Sequence, residues 1–183
     1  MTQTESCITT VSGRFFDILK PEEYEYDIEE IATALSNLCR YTGHVNRFYS
    51  VAEHSVLVSR IVPVGLSLVG LLHDASEAYL GDVSSPLKKL LSEYRAIEER
   101  VEEAIARQFG LSFPYPAAVH EADKRLYWKE REEIANSGVR DRLWHQDLRA
   151  TRKVEVVGMS PVMAKRMFLS RYREIIREQR RAA

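Results

Sequence analysis

The chain has 183 residues, with 26 lysines and arginines against 27 aspartates and glutamates, and a formal net charge of −1. A length of 183 residues with 45% hydrophobic residues is enough to bury the core of one domain. The even charge balance excludes a general electrostatic attraction to nucleic acid or to anionic membrane. No run approaches the roughly 20 apolar residues of a transmembrane helix. The opening MTQTESCITT also lacks the features of an export signal, so we expect a cytoplasmic protein.

The pattern at the start of the chain predicts a small β element followed by a helix. Residues 9–18 form two short β-prone runs around a serine and a glycine, which indicates a hairpin. Asp27 is a good N-cap for a helix whose apolar residues recur at helical spacing up to Leu38. Glu30 stands at the capping-box position of this helix. The fold class predicted from these patterns and the following ones is all-α with a minor N-terminal hairpin.

After a loop at 40–46, apolar residues recur every three to four positions along most of the chain, as is typical of helices. Further helices are predicted at about 50–62, 66–80, 93–109, 116–135 and 161–179. The β-prone run KVEVV at 153–157 could form one more strand. The arginines near the C-terminus alternate with glutamates, which is typical of a solvated helix face rather than of a nucleic-acid site.

No internal repeat, low-complexity segment or linker divides the chain. We therefore predict a single domain over 1–183. It consists of an N-terminal β and loop extension at 1–26, a helical core at 27–135 and a C-terminal helix at 159–183.

Two metal-competent side chains, His54 and Asp123, lie on apolar stripes of predicted helices. His54 shares its face with valines, leucine and isoleucine, whereas Glu53 and Arg60 point the other way. Taken alone, His54 is what one expects of a hydrogen-bonded core histidine. Asp123 is harder to explain, because burying a carboxylate without a partner is strongly unfavourable. It must pair with a cation, collect hydrogen bonds or bind a metal ion.

The predicted helix around His73 and Asp74 is apolar over most of its circumference, which indicates a buried helix. His73, Asp74 and Glu77 form a polar wedge with Gly70 between them. We expect this wedge to face an internal cleft, where Gly70 leaves room for an approaching group. The alternative is that the wedge is the solvent face of the helix.

One divalent metal ion would satisfy His54, His73, Asp74 and Asp123 at once, so we expect these four residues to bind one. Two imidazoles and two carboxylates suit Zn, Mn, Co, Fe or Ni better than Ca, and Mg is an option. Such an ion turns a water molecule into a nucleophile near neutral pH. Glu77 lies one turn beyond His73 and is not needed as a ligand. It can therefore take the proton of that water or orient it.

Longer strings around these residues resemble the HD-domain phosphohydrolase superfamily. In order, they are RYTGHVNRFYSVAEHSVLVSR, GLLHDASEAYLGDVSSPLKK, EYRAIEERVEEAIARQFG and HEADKRLYWKE. The resemblance covers about 27–133 and is strongest to the small bacterial and phage enzymes that act on 5′-deoxynucleotides. It implies an HD-domain helical bundle, with metal ligands at His54, His73, Asp74 and Asp123 and a catalytic acid at Glu77.

The resemblance also implies which residues bind phosphate. Arg40 matches an arginine of the family that contacts the phosphate, and a guanidinium is a natural clamp for a phosphoryl group whose charge shifts during transfer. In this role Arg40 would also act in catalysis. Arg47 is the competing candidate. Lys88 either neutralises phosphate oxygens or lies solvated on the surface.

Three further residues are candidates for contacts with the rest of the substrate. Tyr41 stands where the bacterial nucleotidases often have a tryptophan packed near the sugar. Asp82 follows the glycine of a turn at which the family has a substrate-contacting carboxylate. His44 either lines the pocket or is a turn residue. Because His120 is the one histidine between Asp74 and Asp123, a single metal ion is favoured over two.

The expected function is hydrolysis of a phosphate ester in a deoxynucleotide, foremost by a 5′-deoxynucleotidase acting on deoxynucleoside monophosphates. Phage relatives instead release triphosphate from a deoxynucleoside triphosphate, notably dATP, and this alternative stays open. An alternative of another class is a non-catalytic helical module with a structural metal. Relatives assemble as dimers or larger rings, so we expect a homo-oligomer, either a dimer or a hexamer, without nucleic-acid or membrane partners.

Overall fold

A short antiparallel hairpin precedes the helices. In the computed structural model, which describes residues 5–134 and 154–182, β1 (Cys7–Thr9) pairs with β2 (Phe15–Asp17). Gly13 in the connecting turn has a φ of 83°, which glycine adopts without strain. Phe16 of β2 is fully buried and packs against the rings of Tyr24, Tyr26 and Tyr79. The predicted hairpin is confirmed.

Helices make up most of the described part, which confirms the predicted all-α class. They are α1 (Ile28–Asn37), α2 (Val51–Ile61), α3 (Ser67–Leu72), α4 (Glu77–Leu80), α5 (Ser85–Lys88), α6 (Ser92–Phe109), α7 (Ala117–Glu133) and α8 (Pro161–Ala182). None of the helices in this part of the chain is both long enough and apolar enough to cross a membrane.

The start of α1 confirms one capping prediction and corrects another. Asp27 is the N-cap, and its side chain accepts the backbone N–H of Glu29 at 2.6 Å. Glu30 does not close a capping box. Its carboxylate is buried and instead accepts hydrogen bonds from the hydroxyls of Thr10 and Tyr24 at 2.8 and 2.7 Å, so it ties the hairpin to α1.

The predicted helix at 66–80 is interrupted at the histidine–aspartate pair. Helix α3 ends before His73 and α4 begins at Glu77. Between them, the N–H groups of Ala75 and Glu77 bond to carbonyls three residues earlier, at 3.0 and 3.1 Å. This is the pattern of a 3₁₀ turn, and a 3₁₀ stretch within a helix often marks a functional site or a strained one.

Helix α2 lies at the centre of the fold. Every residue from 51 to 59 is buried, and α2 contacts α1, α3, α7 and α8. Glu53, expected on the face opposite His54, is therefore fully buried as well. The room at Gly70 of α3 also serves this packing, because a Cβ there would lie 3.0 Å from Val62 Cγ2 and 3.2 Å from Ser59 Cα. What approaches Gly70 is helix α2 and not a ligand, which corrects the expectation.

The segment 154–159 lies against α2 without forming the predicted strand. Its backbone groups bond to two side chains instead of to a neighbouring strand. We call this arrangement the Glu53 clamp: Glu53 accepts the N–H groups of Val157, Gly158 and Met159 at 2.8, 3.0 and 2.7 Å, and Arg47 donates to the carbonyls of Val156 and Val157 at 2.8 and 2.9 Å. Positions 153 and 135, where the predicted strand begins and a predicted helix ends, lie outside the described residues.

Candidate metal centre

Three segments that are distant in sequence each contribute one donor group to a common point. They are His54 of α2, His73 in the turn after α3, and Asp123 of α7, and one potential ligand atom of each lies within 4.8 Å of the other two. Metal–ligand bonds of about 2 Å can bridge such a spacing after small side-chain movements. These residues, which we call the His54 cluster, could therefore hold a metal ion.

Asp74 lies beside the His54 cluster. Its Oδ1 is 3.2 Å from His73 Nε2, and its Oδ2 is 3.5 Å from His54 Nε2. The structure thus brings all four sequence-predicted ligands to one place. Asp74 is about four-fifths buried, whereas the side chain of Asp123 is 41% exposed. The centre is accordingly open on the Asp123 side.

Both histidines present the same ring nitrogen to the centre. His54 Nδ1 is 2.6 Å from Oε1 of Glu130, and His73 Nδ1 is 3.0 Å from the carbonyl oxygen of Gly70. Carboxylate and carbonyl oxygens accept, so each Nδ1 carries a proton and each Nε2 is the nitrogen available to a metal. Both Nε2 atoms are buried and have no hydrogen-bond partner. These orphaned donor atoms fit a metal ion.

The surroundings of the centre favour positive charge. Burial and the charge of Arg40 oppose protonation of His54, but the carboxylates of Glu130 and Asp123 outweigh them and raise the pKa of His54 to about 9. Burial would raise the pKa of Asp123, yet His54, His73 and Arg40 lower it below its usual range. A potential that stabilises a protonated imidazole also favours a divalent cation, which competes with the proton for the same nitrogen.

Glu77 and Asp82 add two more carboxyl groups to this region. Glu77 is buried, and its Oε2 makes no hydrogen bond. Burial raises the pKa of Glu77, and the nearby carboxylates of Asp74 and Asp82 raise it further. Burial likewise raises the pKa of Asp82, although the charge of Arg40 opposes the shift. A carboxyl group with a raised pKa is suited to general acid–base chemistry.

Arg40 lies at the same place, and its Nε makes no hydrogen bond. Its Nη1 is 3.5 Å from Asp74 Oδ2 and its Nε is 3.4 Å from Glu130 Oε2, which are ionic contacts without a hydrogen bond to Nε. The side chain is only 12% exposed. A buried guanidinium that is held loosely can bind an anion without first breaking strong hydrogen bonds.

The loop after Arg40 is strained. Tyr41 and Thr42 both have positive φ, 59° and 55°, which is unfavourable for residues with a side chain and most of all for a β-branched one. Tyr41 is anchored by its hydroxyl, which donates to Glu130 Oε2 at 2.6 Å, and by its ring, which stacks on Tyr127 at 6.0 Å between centroids. Strain of this kind is common at binding sites.

Of the other residues predicted to contact the substrate, one lies near the metal centre and two do not. Lys88 bonds to Glu98 at 2.6 Å and lies within electrostatic range of Glu77 and Asp74. Arg47 belongs to the Glu53 clamp, with its guanidinium donating to backbone carbonyls. His44 is exposed, and in the described part of the chain its side chain makes no hydrogen bond or ion pair. The geometry therefore favours Arg40 over Arg47 as the anion-binding arginine.

Glu130 is a residue of this site that the sequence prediction missed. It is fully buried in α7, and its two oxygens bond to His54, Tyr41 and Tyr49. Burial would raise the pKa of Glu130, but Arg40 and His54 lower it to about 2, so the group is a carboxylate. Glu130 follows Asp123 by two helical turns and shares its face, which was the signal available in the sequence.

Comparisons with known proteins give relatives without a described activity. A scan against protein-family models finds no match. The chain is 36% identical over 173 residues to "Uncharacterized protein YfdR" of Escherichia coli strain K12, an alignment that covers 93% of this chain and 96% of that protein. It is 36% identical over 124 residues to "Uncharacterized protein RCAP_rcc00048" of Rhodobacter capsulatus, over 62% of this chain and 63% of that protein. The chain belongs to the family of YfdR.

Proposed function

We propose that the protein is a metal-dependent phosphohydrolase of deoxynucleotides, foremost a 5′-deoxynucleotidase that releases phosphate from deoxynucleoside monophosphates. One observation carries the proposal: two buried imidazole Nε2 atoms make no hydrogen bond but lie 3.1 and 3.2 Å from the carboxylates of Asp123 and Asp74, beside the guanidinium of Arg40. The resemblance of the surrounding strings to HD-domain phosphohydrolases supports the substrate class.

The chain's own residues would divide the work. His54, His73 and Asp123 would hold the ion, with Asp74 as the fourth ligand, and this donor set suits Zn, Mn, Co, Fe or Ni. When bound, a divalent ion supplies Lewis acidity to a phosphoryl oxygen and to a water molecule. Arg40 would bind the phosphoryl oxygens and stabilise the charge that develops on them during transfer.

Glu77 would act as the general acid–base group for the attacking water. Its Oε2 has no other partner in the buried pocket, so this oxygen is available to take a proton from the attacking water or to orient that water. Asp82 would accept a hydrogen bond from a hydroxyl of the sugar. The hydroxyl of Tyr41 already donates to Glu130, which leaves its ring as the surface for packing against the sugar.

The test is a panel of deoxy- and ribonucleoside monophosphates and triphosphates, each assayed with Mn, Co, Zn and Mg. We expect inorganic phosphate from deoxynucleoside monophosphates. Release of triphosphate from dATP, with monophosphates untouched, would replace the nucleotidase by the triphosphohydrolase. If metal-loaded protein hydrolyses no nucleotide in the panel, the proposal is wrong.

A second experiment separates an enzyme from a non-catalytic module with a structural metal. Glu77→Gln keeps the size of the side chain but cannot take up a proton, so turnover should fall by about 100- to 10,000-fold, while metal content and fold are kept. Glu132→Gln, an exposed change of the same charge on α7, is the matched control and should leave turnover unchanged. Equal turnover of Glu77→Gln and wild type would contradict the role of Glu77.

A further inference from the structure

Four side chains from three segments of the chain meet at the carboxylate of Glu130. They are His54, Tyr49, Tyr41 and Arg40, and all four approach an atom of the carboxylate within 3.4 Å. Glu130 itself has no exposed surface. It therefore cannot touch a substrate, and any effect that it has on the reaction passes through these neighbours.

One oxygen of Glu130 serves the metal side. Oε1 accepts from the hydroxyl of Tyr49 and from His54 Nδ1, both at 2.6 Å. The bond to Nδ1 fixes the tautomer and the orientation of the His54 ring, so that Nε2 lies 3.1 Å from Asp123 Oδ1. Tyr49, which is fully buried, keeps Oε1 in place.

The other oxygen serves the arginine. Oε2 accepts from the hydroxyl of Tyr41 at 2.6 Å and faces Arg40 Nε at 3.4 Å. Because this contact is ionic and not a hydrogen bond, Glu130 holds the guanidinium in position without occupying its donors. Tyr41 also lies beside the guanidinium, whose Cζ is 5.4 Å from the centroid of its ring.

We infer that Glu130 is a positioning residue. It fixes the metal-binding half of the site relative to the anion-binding half, and each of its two carboxylate oxygens contacts one half. The identity of the anion as phosphate rests on the proposed function. The two halves are separable, because each oxygen has its own tyrosine. Removal of the Tyr49 hydroxyl frees Oε1 on the metal side, whereas removal of the Tyr41 hydroxyl frees Oε2 on the arginine side.

The experiment measures two dissociation constants by calorimetry: that of Mn²⁺ alone, and that of inorganic phosphate at saturating Mn²⁺. Glu130→Gln should weaken Mn²⁺ binding by about 10- to 100-fold, the range typical of lost support to a ligating histidine, and weaken phosphate binding as well. Tyr49→Phe should weaken Mn²⁺ binding several-fold and leave phosphate within about twofold. Tyr41→Phe should do the reverse. Glu132→Gln and Tyr26→Phe, which removes a buried tyrosine hydroxyl elsewhere, are the matched controls.

A spectroscopic readout distinguishes positioning from mere structural support. With Zn²⁺ bound at Nε2, which is diamagnetic and leaves the ring proton on Nδ1, the resonance of that proton should lie far downfield in wild type, where the carboxylate of Glu130 accepts it, and should move upfield in Glu130→Gln. If Glu130→Gln does not fold, the two tyrosine variants decide. Two outcomes would overturn the inference and leave the proposed function standing. In the first, the variants bind Mn²⁺ and phosphate as wild type does. In the second, each tyrosine variant weakens the binding of Mn²⁺ and of phosphate to the same extent. Wild type that binds neither Mn²⁺ nor phosphate overturns the inference together with the proposed function.

Discussion

Glu53 and His54 are neighbours in α2 and both are fully buried, yet they belong to regions that treat buried polar atoms in opposite ways. In the Glu53 clamp the carboxylate accepts three backbone N–H groups at 2.7 to 3.0 Å. Around the His54 cluster, the Nε2 atoms of His54 and His73, Arg40 Nε and Glu77 Oε2 are buried without hydrogen bonds. The buried polar atoms of the Glu53 clamp have their hydrogen bonds, whereas several of those around the His54 cluster do not.

This difference supports the proposal that the His54 cluster is the functional region. A buried polar atom without a partner costs about 1 to 3 kcal/mol, so a fold retains several of them in one place only where something compensates. In the described part of the chain, the one such atom away from the cluster is the hydroxyl of Tyr79. The hydrogen bonds of the Glu53 clamp fix the backbone. Around the His54 cluster, a bound cation and an anionic substrate would supply the missing partners.

Replacement of Glu53 by alanine breaks the clamp and should give the largest loss of stability. Three N–H groups lose their acceptor at once, so we expect the free energy of unfolding to fall by about 4 kcal/mol in urea denaturation. Glu132→Ala, an exposed glutamate in α7, should change it by less than about 0.5 kcal/mol. Equal stabilities of the two variants would mean that the clamp does not hold 157–159.

Replacement of His73 by glutamine tests the His54 cluster. We expect it to weaken metal binding much more than it lowers the stability of the metal-free protein. In metal-free buffer we expect the variant to lose no more than about 1.5 kcal/mol of unfolding free energy, the worth of the hydrogen bond from Nδ1 to the carbonyl of Gly70, because Nε2 of His73 makes no hydrogen bond. Mn²⁺ at 100 times its dissociation constant should stabilise wild type by about 2.7 kcal/mol and should stabilise the variant hardly at all. The exposed His120→Gln is the control, and Mn²⁺ stabilisation that survives in His73→Gln would remove His73 from the ligand set.

The excess of carboxylates near the cluster should also appear in the pH dependence of stability. Burial, followed by the charges of Glu98 and Asp74, raises the pKa of Glu102 from 4.5 to about 7. A raised pKa means that the folded state holds the proton more tightly, so metal-free protein loses stability as pH rises from about 4.5 to about 7. Glu102→Gln removes this loss. We expect the variant to exceed wild type by about 2 kcal/mol at pH 8 and to match it at pH 4. A variant less stable than wild type at pH 8 would contradict the assignment.

Local periodicity was enough to predict the long helices, the hairpin, the three residues of the His54 cluster and Asp74 beside it. These are properties of spacing along a helix, and His54 or Asp123 on an apolar face is visible within a few turns. The interruption at 73–76 was not predictable in the same way, because His73, Asp74 and the alanine and serine after them include no helix breaker.

The Glu53 clamp and the arrangement at Glu130 depend on pairs distant in sequence, and local pattern does not reveal such pairs. Glu53 accepts from residues more than 100 positions away, so in sequence it looks like the polar side of an amphipathic helix. Glu130 shares a helix face with Asp123, but its role depends on Tyr41 and Tyr49, more than 80 positions before it. Only the fold brings these groups together.

A substitution at Gly158 gives the smallest expected effect, because it would strain the Glu53 clamp without contacting the His54 cluster. The φ of Gly158 is 78°, and a Cβ there would lie 2.7 Å from Arg47 Cδ, whose guanidinium is fixed by the carbonyls of the clamp. Gly158→Ala should therefore cost about 1 kcal/mol of stability, through the left-handed backbone and displacement of Arg47. Gly65→Ala is the control, since a Cβ there meets nothing within 4 Å. Mn²⁺ affinity should stay at the wild-type value in both variants. A loss of Mn²⁺ affinity in Gly158→Ala would show that the Glu53 clamp also governs the metal centre, through the adjacent position of Glu53 and His54 in α2.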